Sequence, residues 1–173
     1  MWNEIRDESD LHAFMEKHDR FHDSCVKELK YISGAYVDIN LSMRPINEQR
    51  ILRMIIQRQF KDPSVIEMEF IGLKRLSLFP VDEKYDCVIL EATMALKDDC
   101  FYWTDRGGLS EDELRYLDEV SVKSLHLPLN YYKRDPDNSG GILICASRVR
   151  WRAADEYLGP EEVYIDRLHT SGC

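Results

Sequence analysis

No stretch of this chain approaches the ~18–20 consecutive apolar residues that a membrane-spanning helix requires, so no membrane association is expected. Positive charge is also scarce: 23 Lys and Arg stand against 32 Asp and Glu, a formal net charge of -9. Phosphate backbones are bound by cationic surfaces, so nucleic acid is not an expected partner. An acidic balance favours solubility or a basic partner instead. The opening residues, Met1 to Glu8, contain neither a basic nor an apolar signal region, and a cytoplasmic location is expected. Five cysteines, Cys25, Cys87, Cys100, Cys145 and Cys173, are scattered in odd number without a CxxC pair. That spacing is neither a disulfide framework nor a zinc site. Reduced thiols fit it, and three of the five lie in apolar strand patterns, where free cysteine behaves as a small hydrophobe.

Catalytic signatures are missing as well. There is no G-x-S-x-G, no P-loop, no Gly-rich dinucleotide turn and no H-E-x-x-H. Gly107-Gly108 lacks the strand-to-helix context of a phosphate loop. The expectation leans away from an enzyme, and no catalytic residue, metal ligand or cofactor is assigned. Carboxylate pairs have no fixed sequence spacing, so catalysis stays open.

What is present is an ordinary globular composition, 44% hydrophobic and 32% charged over 173 residues, long enough for one domain spanning 1–173. The stretch Val65 to Leu96 organises the chain as two half-buried strands. Ile66, Met68 and Phe70 share one face of the first, with Glu67 and Glu69 pointing away. Val88, Leu90, Ala92, Met94 and Leu96 share one face of the second, within the strand Cys87 to Leu96. Ser9 to His18 reads as a short amphipathic helix with Leu11, Phe14 and Met15 on one side, capped by Ser9 or Asp10. A helix this short docks on a sheet or does not form.

Cys25 to Ile32 alternates as a strand, and Gly34 joins it as a hairpin to a weaker strand, Ala35 to Met43. Arg50 to Phe60 has β-branched residues and a period of two that favour a strand over a helix. Gly72 marks a bulge or bend. Lys97 to Asp99 turns the chain into Phe101-Tyr102-Trp103. Ser110 to Glu113 is a capping box opening a helix with Leu114 and Leu117 inward. Residues 121–141 form an irregular surface loop. Ile142 to Arg152 is the last strand, with Leu143, Cys145, Val149 and Trp151 on one face. Ile144, Ala146, Arg148, Arg150 and Arg152 lie on the other. The tail 161–173 forms a short helix or frays. The expected fold is α+β: a mainly antiparallel sheet or two-sheet sandwich of about six to eight strands, with two or three short peripheral helices.

Three constellations are candidates for binding. Arg148, Arg150 and Arg152 make a row of guanidinium groups able to grip a carboxylate or phosphate. The blander and favoured reading pairs them across strands with Glu67, Glu69 or Glu91 on a solvated face. His22 and Asp23, beside Cys25, could join in a site, but in an extended segment they point apart. Local bonding at the start of the strand is favoured for them. Tyr102, Trp103, Tyr131, Tyr132 and Trp151 form an aromatic set for which core packing is the favoured reading. Tyr131-Tyr132, in the loop, has no core to fill and is the stronger interaction candidate.

At Phe21-His22-Asp23-Ser24-Cys25-Val26-Lys27-Glu28-Leu29, and again at Gln57-Arg58-Gln59 and Phe101-Tyr102-Trp103, the chain resembles a group of small uncharacterised bacterial proteins with a Phe-His-Asp-Ser motif. The likeness runs from about Trp2 to Trp151 and implies no activity. More loosely, that motif before a β-rich body resembles immunity proteins of polymorphic toxin systems, which implies a toxin-like protein partner. The expected function is a non-catalytic cytoplasmic protein-binding module, immunity-protein-like, for a toxin-like or basic protein. The alternative is a small-ligand-binding protein or enzyme with a cleft lined by arginine, histidine and aromatics. A third reading is a homo-oligomer exchanging a sheet edge or the 121–141 loop.

Overall fold

A computed structural model describes residues 1–80, 83–84, 86–109 and 141–164. Its frame is one antiparallel seven-stranded sheet rather than a sandwich. The strands are β1 (Asn3–Ile5), β2 (Ser24–Ile32), β5 (Ile51–Arg58), β6 (Val65–Phe79), β7 (Thr93–Lys97), β8 (Cys100–Thr104) and β9 (Gly141–Ala153). Their order is β2-β5-β6-β9-β8-β7, and β1 pairs with β9. A separate two-stranded hairpin pairs β3 (Tyr36–Val37) with β4 (Met43–Arg44).

The alternating sequence pattern becomes rows across strands. Leu52 lies opposite Phe70, Phe70 opposite Val149, and Val149 opposite Ile5. Leu29, Met54, Met68 and Trp151 make the next row. Both rows face the main core, where helix α1 (Glu8–Lys17) adds Leu11, Phe14 and Met15. The helix is capped by Asp7 rather than Ser9 or Asp10. Asp7 has extended backbone and its carboxylate accepts from the Asp10 amide at 2.9 Å. Asp10 in turn accepts from the Arg6 amide at 3.1 Å, a reciprocal cap. Among the described residues α1 is the one α-helix, accompanied by 3-10 turns at Asp19–Phe21 and Asp155–Tyr157. The capping box at Ser110–Glu113 and the loop 121–141, apart from Gly141, lie outside the described residues.

Three further expectations, all about the strands, need correction. The segment 35–43 does not pair with β2; β2 pairs with β5, and 36–44 folds back on itself. The strand read at Cys87 to Leu96 is a strand only from Thr93. Before that, the Ile89 amide bonds to the Ser24 carbonyl at 2.7 Å and the Ala92 amide to the Arg20 carbonyl at 2.8 Å. Ile89 is buried there, while Val88 and Leu90 are 44% and 69% exposed. Both parities of that run are apolar, so alternation could not show which one faces inward. The last correction concerns β9. Alternation slips by one residue opposite Gly72, whose φ of +67° suits glycine. Inward positions therefore run Ile142, Ile144, Ala146 and then Val149 and Trp151. Arg150 and Arg152 share the reverse face with Leu143 and Cys145, not with Ile144 and Ala146.

The β7–β8 connection is a two-residue turn, Asp98-Asp99, with φ of 48° and 57° at the two positions. Positive φ at both central residues matches the twist of the flanking strands.

The end of α1 holds a fully buried His18. Its ring meets Phe14 and Trp151 edge-on at centroid distances of 4.9 and 4.7 Å. Arg58, at the end of β5, reaches His18 Nδ1 at 3.2 Å and donates to the His18 carbonyl at 3.1 Å and the Pro63 carbonyl at 3.1 Å. A guanidinium is always a donor, so Nδ1 accepts and the ring proton sits on Nε2. Burial first, then the charges of Arg58 and Lys17, push the His18 pKa down to about 3. In the unfolded chain the ring titrates near its ordinary 6.5. Between these values the unfolded state binds a proton that the folded state refuses, so stability falls as pH falls through this window. Urea unfolding of the wild type from about pH 7 to about pH 5 should show an added loss of up to about 1.4 kcal/mol per pH unit below the unfolded pKa. His18→Phe should lack that component; equal slopes in the two proteins would refute it.

Candidate functional site

The face of the sheet opposite the main core carries charge in register. Arg53 of β5 lies opposite Glu69 of β6, and Glu69 lies opposite Arg150 of β9. Arg53 Nε donates to Glu69 Oε1 at 2.7 Å, and Arg150 Nε donates to Glu69 Oε2 at 2.6 Å. Two residues along β6, Glu67 lies opposite Arg152, whose Nε donates to Glu67 Oε2 at 2.6 Å. Arg152 also donates to Glu156 at 2.7 Å and to the Tyr157 hydroxyl at 3.2 Å. The two central carboxylates are almost wholly enclosed, with side chains 1% exposed for Glu69 and 5% for Glu67. A buried carboxylate costs several kcal/mol unless charged donors meet it, and here they do.

Trp2 lies over this row. Its ring is 4.7 Å from the Arg150 guanidinium and 5.6 Å from that of Arg152, both within cation–π range. An open cleft of about 350 Å³ lies here, lined by Met1, Trp2, Arg53, Glu67, Glu69, Arg150, Arg152 and Tyr157. Burial opposes the charge on Arg152, but hydrogen bonds and attraction from Glu156 and Glu67 outweigh it and hold the group above its ordinary pKa. Burial and then the charge of Glu67 raise the Tyr164 hydroxyl.

The rest of this face is strapped by residues 155–164. Asp155 accepts from the Val65 amide at 2.8 Å. Gln57 donates to the Tyr157 and Gly159 carbonyls, each at 2.9 Å. Lys27, the extra residue at the β2 bulge, donates to the Gly159 and Glu161 carbonyls. Glu28 accepts from the amides of Val163 and Tyr164 at 2.6 and 3.1 Å. The start of the tail is thus tied down and irregular rather than helical or frayed, up to Tyr164.

The structure brings Arg150 and Arg152 together and places the other candidates elsewhere. Arg148 is exposed. His22 Nδ1 lies 3.2 Å from the Asp23 carboxylate. The two do not point apart because Asp23 and the three residues Asp19 to Phe21 have positive φ, so the segment is not extended. Tyr102 is buried with Cys100, Leu143 and Cys145, a packing role. Tyr131 and Tyr132 lie outside the described residues. Of the arginine row, Arg150 and Arg152 pair with Glu69 and Glu67 as the blander reading had it, but over enclosed carboxylates rather than a solvated face. Arg53 was missed, although its alternation with Met54 placed it on the polar side. Trp2 arrives from a distant segment and left no local signal, while Tyr157 stands in the 3-10 turn just after β9. Arg53, Arg150 and Arg152 are balanced by Glu67, Glu69 and Glu156, so the cleft offers no surplus charge and no imidazole.

A second feature lies on the β3–β4 hairpin. Tyr36, Val37, Ile39, Leu41, Met43 and Ile46 are between 54% and 96% exposed. This is not a loose loop. The Asp38 carboxylate accepts from the amides of Asn40 and Ser42 at 2.8 and 3.0 Å, and the Asp38 amide donates to the Ser42 carbonyl at 3.0 Å. At the hairpin base Tyr31 donates to Asn47 at 2.9 Å, and the Gln49 amide bonds the Ser33 carbonyl at 3.0 Å. Val37, Ile39, Leu41 and Met43 alternate with Asp38, Asn40, Ser42 and Arg44, a pattern that ordinarily buries one side. Here Ile39 and Leu41 stand in the turn, and all four apolar side chains meet solvent.

No family model, curated protein or solved structure matches the chain. The ion-pair row makes a prediction of its own. Arg53→Leu/Arg150→Leu should destabilise by about 3–5 kcal/mol in urea unfolding, because Glu69 is left enclosed and unpaired. Adding Glu69→Leu should recover most of that loss; a further loss instead would contradict the pairing.

Proposed function

We propose that this chain is a non-catalytic protein-binding module that docks a basic partner through the hairpin Tyr36–Arg44, in the way an immunity protein engages a toxin. The observation that carries the reading is the ordered hairpin with its apolar side chains in solvent. Contiguous exposed apolar surface commonly marks an interaction site. The partner's chemistry follows from charge: a chain at -9 is steered toward cationic surfaces. Aliphatic anchors on the hairpin supply contact area, and the acidic body supplies the approach. A cytoplasmic setting belongs to the same proposal.

Ile39→Ser/Leu41→Ser tests it. Quantitative affinity capture from native lysate should recover a basic protein with the wild type, and at least tenfold less with the variant. Stability should change by no more than about 0.5 kcal/mol, since both side chains are exposed. Equal capture by both proteins would sink the proposal. So would light scattering showing a dimer that the variant abolishes, because the hairpin would then serve a second copy.

A second reading is a small-ligand site at the cleft beside Trp2, where a carboxylate or phosphate would bind by displacing Glu67 or Glu69 from its arginines. Its volume of about 350 Å³ falls within the range of small-molecule sites. A library of such metabolites should then raise the melting temperature of the wild type and not of Arg150→Ala/Arg152→Ala. No shift with any member removes this reading.

A further inference from the structure

Lys74 occupies the extra position of the bulge in β6, between Leu73 opposite Ala146 and Arg75 opposite Cys145. From there its side chain spans β9 to reach the first residue of β8. Lys74 Nζ stands 2.6 Å from Cys100 Sγ. Cys100 is buried among Tyr102, Leu143 and Cys145, and its Sγ also lies 3.3 Å from the Asp98 carbonyl oxygen. Ammonium to thiol is a weak pairing, because a thiol sulfur is a poor acceptor. An N–H···O bond already settles at about 2.9–3.0 Å, and sulfur is larger than oxygen. The separation is therefore too short for an amine–thiol hydrogen bond. It is the span of a nitrogen and a sulfur bonded to one shared oxygen atom.

We propose that Lys74 and Cys100 are an oxidative cross-linking site at which an N–O–S bridge forms. The co-reactant is molecular oxygen. The neutral amine and the thiol each lose one hydrogen, and S–O and O–N bonds form to one oxygen atom. The second oxygen atom leaves as water with those two hydrogens. Sulfur and nitrogen each give up two electrons, and the four together reduce one dioxygen. Two equivalents of a dithiol reverse the step, returning thiol, amine and water. The bridge staples β6 to β8 across β9 and closes the chain between residues 74 and 100. Exposure of Lys74 at the bulge gives oxidant access, and the buried, fixed Cys100 holds the geometry.

The test uses the full chain, fully reduced with a dithiol under anaerobic conditions and then equilibrated with oxygen. Intact mass should rise by about 14 Da, one oxygen gained and two hydrogens lost. Peptide mapping should place the gain on a linked pair of peptides containing Lys74 and Cys100, and dithiol should remove it. Lys74→Arg and Cys100→Ser should both lack the species. Lys74→Arg keeps the charge at an exposed position, and circular dichroism reports its fold. Four outcomes overturn the proposal. They are no change of mass, only gains of about 16 Da per oxidised thiol, only the loss of about 2 Da of a disulfide, or persistence of the linked species in either variant.

Discussion

Glu69 sits in the middle of a seven-stranded sheet with a side chain only 1% exposed, and the arrangement around it depends on the two guanidinium groups that meet its oxygens. An unpaired carboxylate at that depth would neutralise itself or open the sheet. Arg53 and Arg150 prevent both, and they do so from the two strands that flank β6. A slip of one residue in either pairing would carry the arginine to the apolar face and leave Glu69 stranded. The same slip would push Met54 of β5, or Trp151 of β9, out of the core. Charge on one face and packing on the other therefore specify one register, and neither alone would specify it as sharply.

From that register follows the division of surfaces. The apolar face is covered by α1 and the turn at Asp19–Phe21, pinned by His18 and Arg58. The charged face is closed by its own ion pairs, by Trp2 and by the strap 155–164. The hairpin presents apolar side chains that are 54% to 96% exposed, in a turn fixed by the hydrogen bonds of Asp38. Arg53, Arg150 and Arg152, spent on enclosed carboxylates, have little left to grip a free anion. On the proposed reading, Ile39 and Leu41, displayed in solvent, are the contact surface.

Much of the sheet was legible as alternation. Cys25 to Ile32, the stretch within Arg50 to Phe60, Val65 onward and Ile142 to Arg152 were all readable as strands, and pairing of the arginines with Glu67 and Glu69 followed from charge and period. The failures share one origin, since local pattern carries no information about distant partners. The pairing of β2 with β5 skips a hairpin that looked like the natural neighbour. Cys87 to Ala92 is apolar at both parities, so its inward face is chosen by bonds to Ser24 and Arg20. The slip at Gly72 reverses faces in a strand more than seventy residues away. Trp2 comes to the arginines through tertiary structure only. His18 gave no sign of burial, because a histidine at a helix end looks like any solvated cap.

The central claim is that β5, β6 and β9 form the most stable part of the molecule, locked by Glu69 between its two arginines and by the rows behind it. Native-state amide exchange measures this strand by strand. The account predicts that the amides of Met54, Met68, Glu69 and Val149 exchange only through global unfolding. Fast exchange at these positions, with the slowest amides found in β7 and β8 instead, would contradict it.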